Sequence, residues 1–118
     1  MRTFVRFGIA LAATVLVMGA CTRTPLSVDV IGRSYPATRF WYTFNHGVTL
    51  SALFATVPGF GQSEVPDVSG WKAPGVQYQV PMDFVDENGV GIKGDWVLRF
   101  LGVDGGDAFD ITVHVTVN

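Results

Sequence analysis

Residues that carry chemistry are scarce in this sequence: 118 positions include one cysteine, Cys21, and two histidines, His46 and His114. A single cysteine excludes an internal disulfide framework. None of Ser27, Ser34, Ser51, Ser63 or Ser69 stands in a Gly-x-Ser-x-Gly context, and neither histidine has a recognisable nucleophile and orienting partner beside it. Serine catalysis needs all three in register. Charge is sparse as well, with eight basic and ten acidic residues and no block of either sign. That argues against nucleic acid, which needs a Lys/Arg-rich face, and against electrostatic docking on anionic lipid. The longest apolar run, Phe7 to Met18, has twelve residues. As a helix it reaches roughly 18 Å at about 1.5 Å per residue, against a bilayer core of about 30 Å. No internal repeat or low-complexity stretch occurs.

What is present points to strands. The chain is 48% hydrophobic, with nine Phe, three Tyr, three Trp, fourteen Gly and six Pro. Aromatics suit a half-buried pleated surface, and Gly and Pro mark the turns between short strands. The length suits one domain.

The first twenty residues read differently from the rest. Arg2 and Arg6 precede the apolar run, and Gly19 and Ala20 follow it. A basic start, a short apolar centre and a small-residue exit form a secretory leader; a buried core helix is the alternative. The stretch "VMGAC" (17–21) resembles the lipobox of bacterial lipoproteins, and the resemblance covers residues 1–21. It implies cleavage after Ala20, a thioether from Cys21 to diacylglycerol, and acylation of the new amine. Thr22, in place of Asp, implies the outer membrane facing the periplasm in a Gram-negative host. Lipidation consumes the odd thiol, which is otherwise a hazard in an exported chain. One acyl chain holds weakly, at about 0.8 kcal/mol per buried CH₂, whereas two or more anchor durably. The expected organisation is a leader over 1–20, a lipidated tether over 21–25 and one domain over 26–118. Losing Arg2 and Arg6 with the leader leaves six basic against ten acidic residues, a formal charge of −4.

Along 26–118 the apolar residues alternate. "LSVDVI" (26–31) predicts a half-buried strand. In "RFWYTF" (39–44), Phe40, Tyr42 and Phe44 share one face and Trp41 and Thr43 the other. "NHG" (45–47) predicts a turn, and Val48, Leu50, Ala52 and Phe54 alternate with Thr49 and Ser51, so 39–57 is expected to be a β-hairpin. A helix over 48–57 is the alternative. Residues 58–75 carry three Pro and four Gly and predict a long functional or mobile loop. Val76, Tyr78, Val80, Met82 and Phe84, then Trp96, Leu98 and Phe100, then Phe109, Ile111, Val113, Val115 and Val117 predict a three-strand meander, with Asn88-Gly89 as a turn. Pro81 directs the first of these strands to an edge or a bulge. The fold class expected is all-β: a small antiparallel immunoglobulin-like sandwich of six or seven strands.

Candidate sites are few. His46, in a turn, and His114, on an outward face, read as surface polar residues. With Met82 they are also residue types that copper accepts. Asp104, Asp107 and Asp110, and Asp86, Glu87 and Asn88, are oxygen donors for calcium, or caps for their own turns. "GDWVLRFLGVDGGDAFDITVHVTV" (94–117) loosely resembles the closing strands of small periplasmic FixH- and YtkA-like domains, some of which handle copper. No ligand residue carries over. Four aromatics within 39–44 leave Trp41 on the second face of its strand, covered by Phe60 or Trp71 or else exposed for binding. Trp41, Phe60 and Trp71 are therefore the partner-binding candidates, with Cys21 as the lipidation site and no catalytic residue. The expected role is a lipid-anchored envelope protein that is a non-catalytic binding or structural accessory module for another envelope protein. Periplasmic handling of copper or calcium is the second reading.

Overall fold

Eight strands follow one another in the computed structural model, which describes residues 24–118. They are β1 (Val28–Arg33), β2 (Arg39–Phe44), β3 (Val48–Val57), β4 (Gly61–Glu64), β5 (Gly70–Lys72), β6 (Gln77–Gln79), β7 (Gly94–Asp104) and β8 (Asp107–Val117). One sheet has the order β1-β2-β6. The other runs β4-β3-β7-β8, with β5 pairing β3 on the same edge as β4. Every pairing is antiparallel. First, second and sixth strands facing third, seventh and eighth is the A-B-E and C-F-G arrangement of an immunoglobulin-like sandwich, with the fourth strand on the C side. The apolar alternation has produced a two-layer fold whose core lies between the sheets.

Six of the sixteen buried residues in that core carry rings. Trp96 stands edge-on to Phe40 and to Phe84, each at 4.9 Å between centroids. Phe100 packs on Tyr42 at 5.4 Å and on Phe44 at 5.6 Å. Edge-to-face contact places the positive rim of one ring on the negative face of the next. The Trp96 indole N–H donates to the Ile92 carbonyl at 3.3 Å, so the polar atom of this buried ring is satisfied.

Several expectations need correction. Residues 39–44 and 48–57 are both strands, but they are not a hairpin. β2 pairs with β1 and β6, and β3 pairs with β4, β5 and β7, so Asn45–Gly47 crosses from one sheet to the other. Local reasons are visible at the crossing. The Asn45 side chain accepts from Ser27 N at 2.7 Å and donates to the Pro25 carbonyl at 2.8 Å, tying the turn to β1. The Trp71 ring lies against Gly47, where a Cβ has no room. The inward face of β3 also changes phase. Val48 and Leu50 are buried, then Leu53, Ala55 and Val57, because the register shifts between Leu50 and Ala52. A bulge at Ser51 absorbs one residue and turns Phe54 to the outside.

The meander loses its first strand. Residues 77–79 pair with β2 in the other sheet, and only β7 and β8 form the hairpin. Pro81 acts as expected: β6 is short and lies at a sheet edge. Met82, expected inward, is 38% exposed because alternation stops at Val80. Residues 58–75 are not an open loop. β4 and β5 extend the edge of β3, and Val65 and Val68 are buried between them.

Candidate functional site

The sandwich has two distinct ends. At one, the entry pole, the chain comes in past Pro25, the Asn45–Gly47 crossing passes overhead, and β7 meets β8 at the Asp104–Asp107 turn. At the other, the far pole, lie the turn after β1, the Pro58–Gly61 turn and the segment 80–94. β7 runs from Gly94 to Asp104 between them, about 33 Å at about 3.3 Å per residue.

A groove of about 280 Å³ opens at the far pole. Its floor is Val57, Phe84 and Ile92, its walls are Phe60, Met82 and Val85, and Asp83, Asp86 and Glu87 line the rim. Backbone hydrogen bonds hold the segments that form the groove. Phe60 N bonds the Val57 carbonyl at 3.0 Å, and positive φ at Gly59 (82°) and Gly61 (94°) closes the turn and leaves Phe60 74% exposed. Phe84 and Thr38 exchange both backbone bonds, at 2.9 and 3.1 Å. Buried Thr38 donates its hydroxyl to the Ile92 carbonyl at 2.7 Å, fastening the opposite side of the same segment. Gly91 passes so close to the Ser34 carbonyl that no side chain fits.

The rim is acidic, and its three carboxylates have different duties. Asp83 forms a two-point ion pair with Arg39, at 2.7 and 3.1 Å, and the guanidinium holds its carboxyl below the usual range. Asp86 accepts the backbone N–H of Asn88 at 2.8 Å and of Val90 at 3.0 Å, with Gly89 at φ 76°, so it builds its own turn. Glu87 is exposed beside them.

The three aromatic candidates do not form one surface. Trp41 is half-buried on the outer face of β2, with the Arg33 guanidinium 5.6 Å from its ring; neither Phe60 nor Trp71 covers it. Phe60 is the groove wall. Trp71 pairs with Thr49 at the entry end of β3, whereas Gly61, next to Phe60, pairs with Val57. Those rungs are eight residues apart, on the order of 25 Å. Cys21 lies outside the described residues.

The metal candidates are equally scattered. His46 is not a surface residue: its Nδ1 lies 2.8 Å from Asp104 Oδ2, and both side chains are largely buried. His114 is exposed on β8 opposite Val97, seven residues along β7 from Asp104 and on the order of 23 Å away. Asp110 is engaged by Arg99 at 2.7 and 2.9 Å. Asp107 is exposed in the β7–β8 turn. Among the described residues no three His, Cys, Asp or Glu side chains converge.

Sequence reasoning missed the groove and the His46–Asp104 pair. Phe60 is a partner-binding candidate in the sequence and Met82, Asp86 and Glu87 are candidate metal donors, but no local pattern brings these groove residues together, and nothing local links positions 46 and 104. No protein-family model matches the chain, and no curated protein or solved structure matches it either.

Proposed function

We propose that this chain is a lipid-anchored cell-envelope protein whose sandwich is a non-catalytic binding or structural accessory module, with another envelope protein as its partner. The observation that carries the reading is the placement of entry and groove at opposite poles. Asn45 grips the Pro25 carbonyl at one end, and the groove opens about 33 Å away. A tether at Cys21 therefore presents the groove away from the lipid. In a Gram-negative host that is the periplasmic side of the outer membrane. Confinement near a membrane raises the effective concentration for partners held there.

The groove is at the small end of ligand sites, which run from about 300 Å³ upward. It suits one or two apolar side chains of a partner. Phe60, Met82 and Val85 are the anchors, since well-packed aromatic and apolar side chains carry most binding energy at such contacts.

Two measurements test this. Mass spectrometry of the membrane-extracted protein is expected to find residue 21 as the acylated first residue, with Cys21→Ser releasing the chain from the membrane fraction. A photo-reactive residue at Phe60 is expected to yield a discrete protein adduct in intact cells, and the same group at Thr112 on β8 is not. An unmodified thiol on an uncut chain removes the anchor; identical adduct patterns at both positions remove the groove.

A further inference from the structure

The entry pole has an exposed apolar set that the groove does not use. Trp71 is 63% exposed, Val76 44% and Val103 39%. Trp71 and Val103 both pair with Thr49, from opposite sides, so they belong to one cross-strand row on the outer face of the five-stranded sheet. Val76 follows Gly75, whose N–H bonds the Phe44 carbonyl at 2.8 Å at the same end. Large apolar side chains collect where the chain enters.

The lipid anchor proposed above bears on what covers them. Pro25 is pinned to Asn45 at this pole. From Cys21 to Pro25 there are four residue steps, which reach at most about 14 Å at 3.3–3.6 Å per residue. With a diacylglyceryl group on Cys21 in the bilayer, as proposed above, the pole is held within about 14 Å of the lipid surface. Trp favours the membrane–water interface, where its ring is half in hydrocarbon and its N–H is wet. Lys72 is turned aside, with its ammonium 4.9 Å over the Tyr78 ring, and Asp104 is buried against His46. Asp107 is the exposed charge of the adjacent turn.

We propose that Trp71, Val76 and Val103 form a membrane-seating surface that rests in the lipid interface and sets the sandwich upright, with the groove pointing away. This rests on the lipid-anchor reading above. The partner is the bilayer itself, and the contact is apolar rather than electrostatic.

The test uses the natural, lipidated protein in phosphatidylethanolamine–phosphatidylglycerol vesicles carrying a fluorescence quencher on the upper acyl carbons. Trp96 is buried and Trp41 lies under Arg33, so Trp71 is the ring within reach. Quenching is expected in the wild type and in Trp41→Phe, and most of it is lost in Trp71→Phe. A Trp71→Phe, Val103→Trp double variant is expected to regain it, which also shows that the single variant is folded. Quenching unchanged by Trp71→Phe, or absent from a chain shown by mass spectrometry to be lipidated, overturns the orientation alone. An unmodified Cys21 overturns the anchor and the orientation together.

Discussion

At the scale of single residues, the buried polar groups make the sharpest claims. His46 and Asp104 come from a turn and a strand end 58 positions apart, and they meet at 2.8 Å with little solvent. Removing one member of a buried hydrogen-bonded pair costs about 1–3 kcal/mol. His46→Ala is expected to lower stability by that amount in urea unfolding, and Asp104→Asn, which keeps an acceptor for the imidazole, by less. Tyr42 makes a claim about alkaline pH. Burial, with Tyr78 beside it, pushes its phenol up to about 12 from the usual value of about 10. The folded state thus favours the protonated form. Its contribution is complete below pH 10 and is lost as pH rises from 10 towards 12. Alkaline unfolding should follow that window, and Tyr42→Phe should flatten it. The carboxyls of Asp83 and Asp110 shift the other way, each held down by its arginine. Their contribution is present above the ordinary aspartate range and is lost only as pH falls below it. Both pairs are exposed, so the effect is small and screened by salt.

Among elements, the segment 80–94 and strand β3 bear most on the proposed function. Asp86 receives two backbone N–H groups and so fixes the turn that carries Val85 and Glu87. Asp86→Ala is expected to cost about 1 kcal/mol. Its clearest trace is faster amide exchange at Asn88 and Val90 with the core amides unchanged. In β7, Gly102 faces the Thr49 carbonyl and the Phe109 ring with no space for a Cβ. Gly102→Ala is expected to destabilise by about 1–3 kcal/mol, as overpacking does, read as a lowered urea midpoint. Much of this level was legible beforehand. The alternation in β7 and β8 named the inward residues correctly, because a period of two is a direct consequence of the pleat. β3 was legible as a strand but not in phase, since the bulge at Ser51 depends on its pairing with β7 rather than on its own residues. The 58–75 segment misled for a related reason. Its Pro and Gly residues describe turns, but they do not reveal that β4 and β5 hydrogen-bond to β3 between those turns.

For the molecule as a whole, anchor and groove should be separable. Phe60→Asp places a charge on the groove wall, far from the entry pole and on a residue already 74% exposed. It is expected to abolish partner recovery while leaving membrane fractionation and the unfolding midpoint unchanged. Co-purification from wild-type and variant membranes, with the sedimentation of each protein, measures both properties at once. Loss of membrane association in Phe60→Asp would count against the division of labour between the poles.

The composition, the period-two alternation and the Asn88-Gly89 turn determined that this chain is an all-β sandwich, because burying one face of each strand leaves few other solutions. They also named most of the core, and the leader residues supplied the expectation of an anchor. Which strand bonds to which was decided only by the tertiary structure. Alternation specifies the inward face of a strand, and it is silent on the neighbour that supplies the hydrogen bonds. For that reason the apparent hairpin at 39–57 divides between two sheets. His46 meets Asp104 for the same reason, and a groove forms where the Pro58–Gly61 turn and the 80–94 segment come together across a distance that no local pattern encodes.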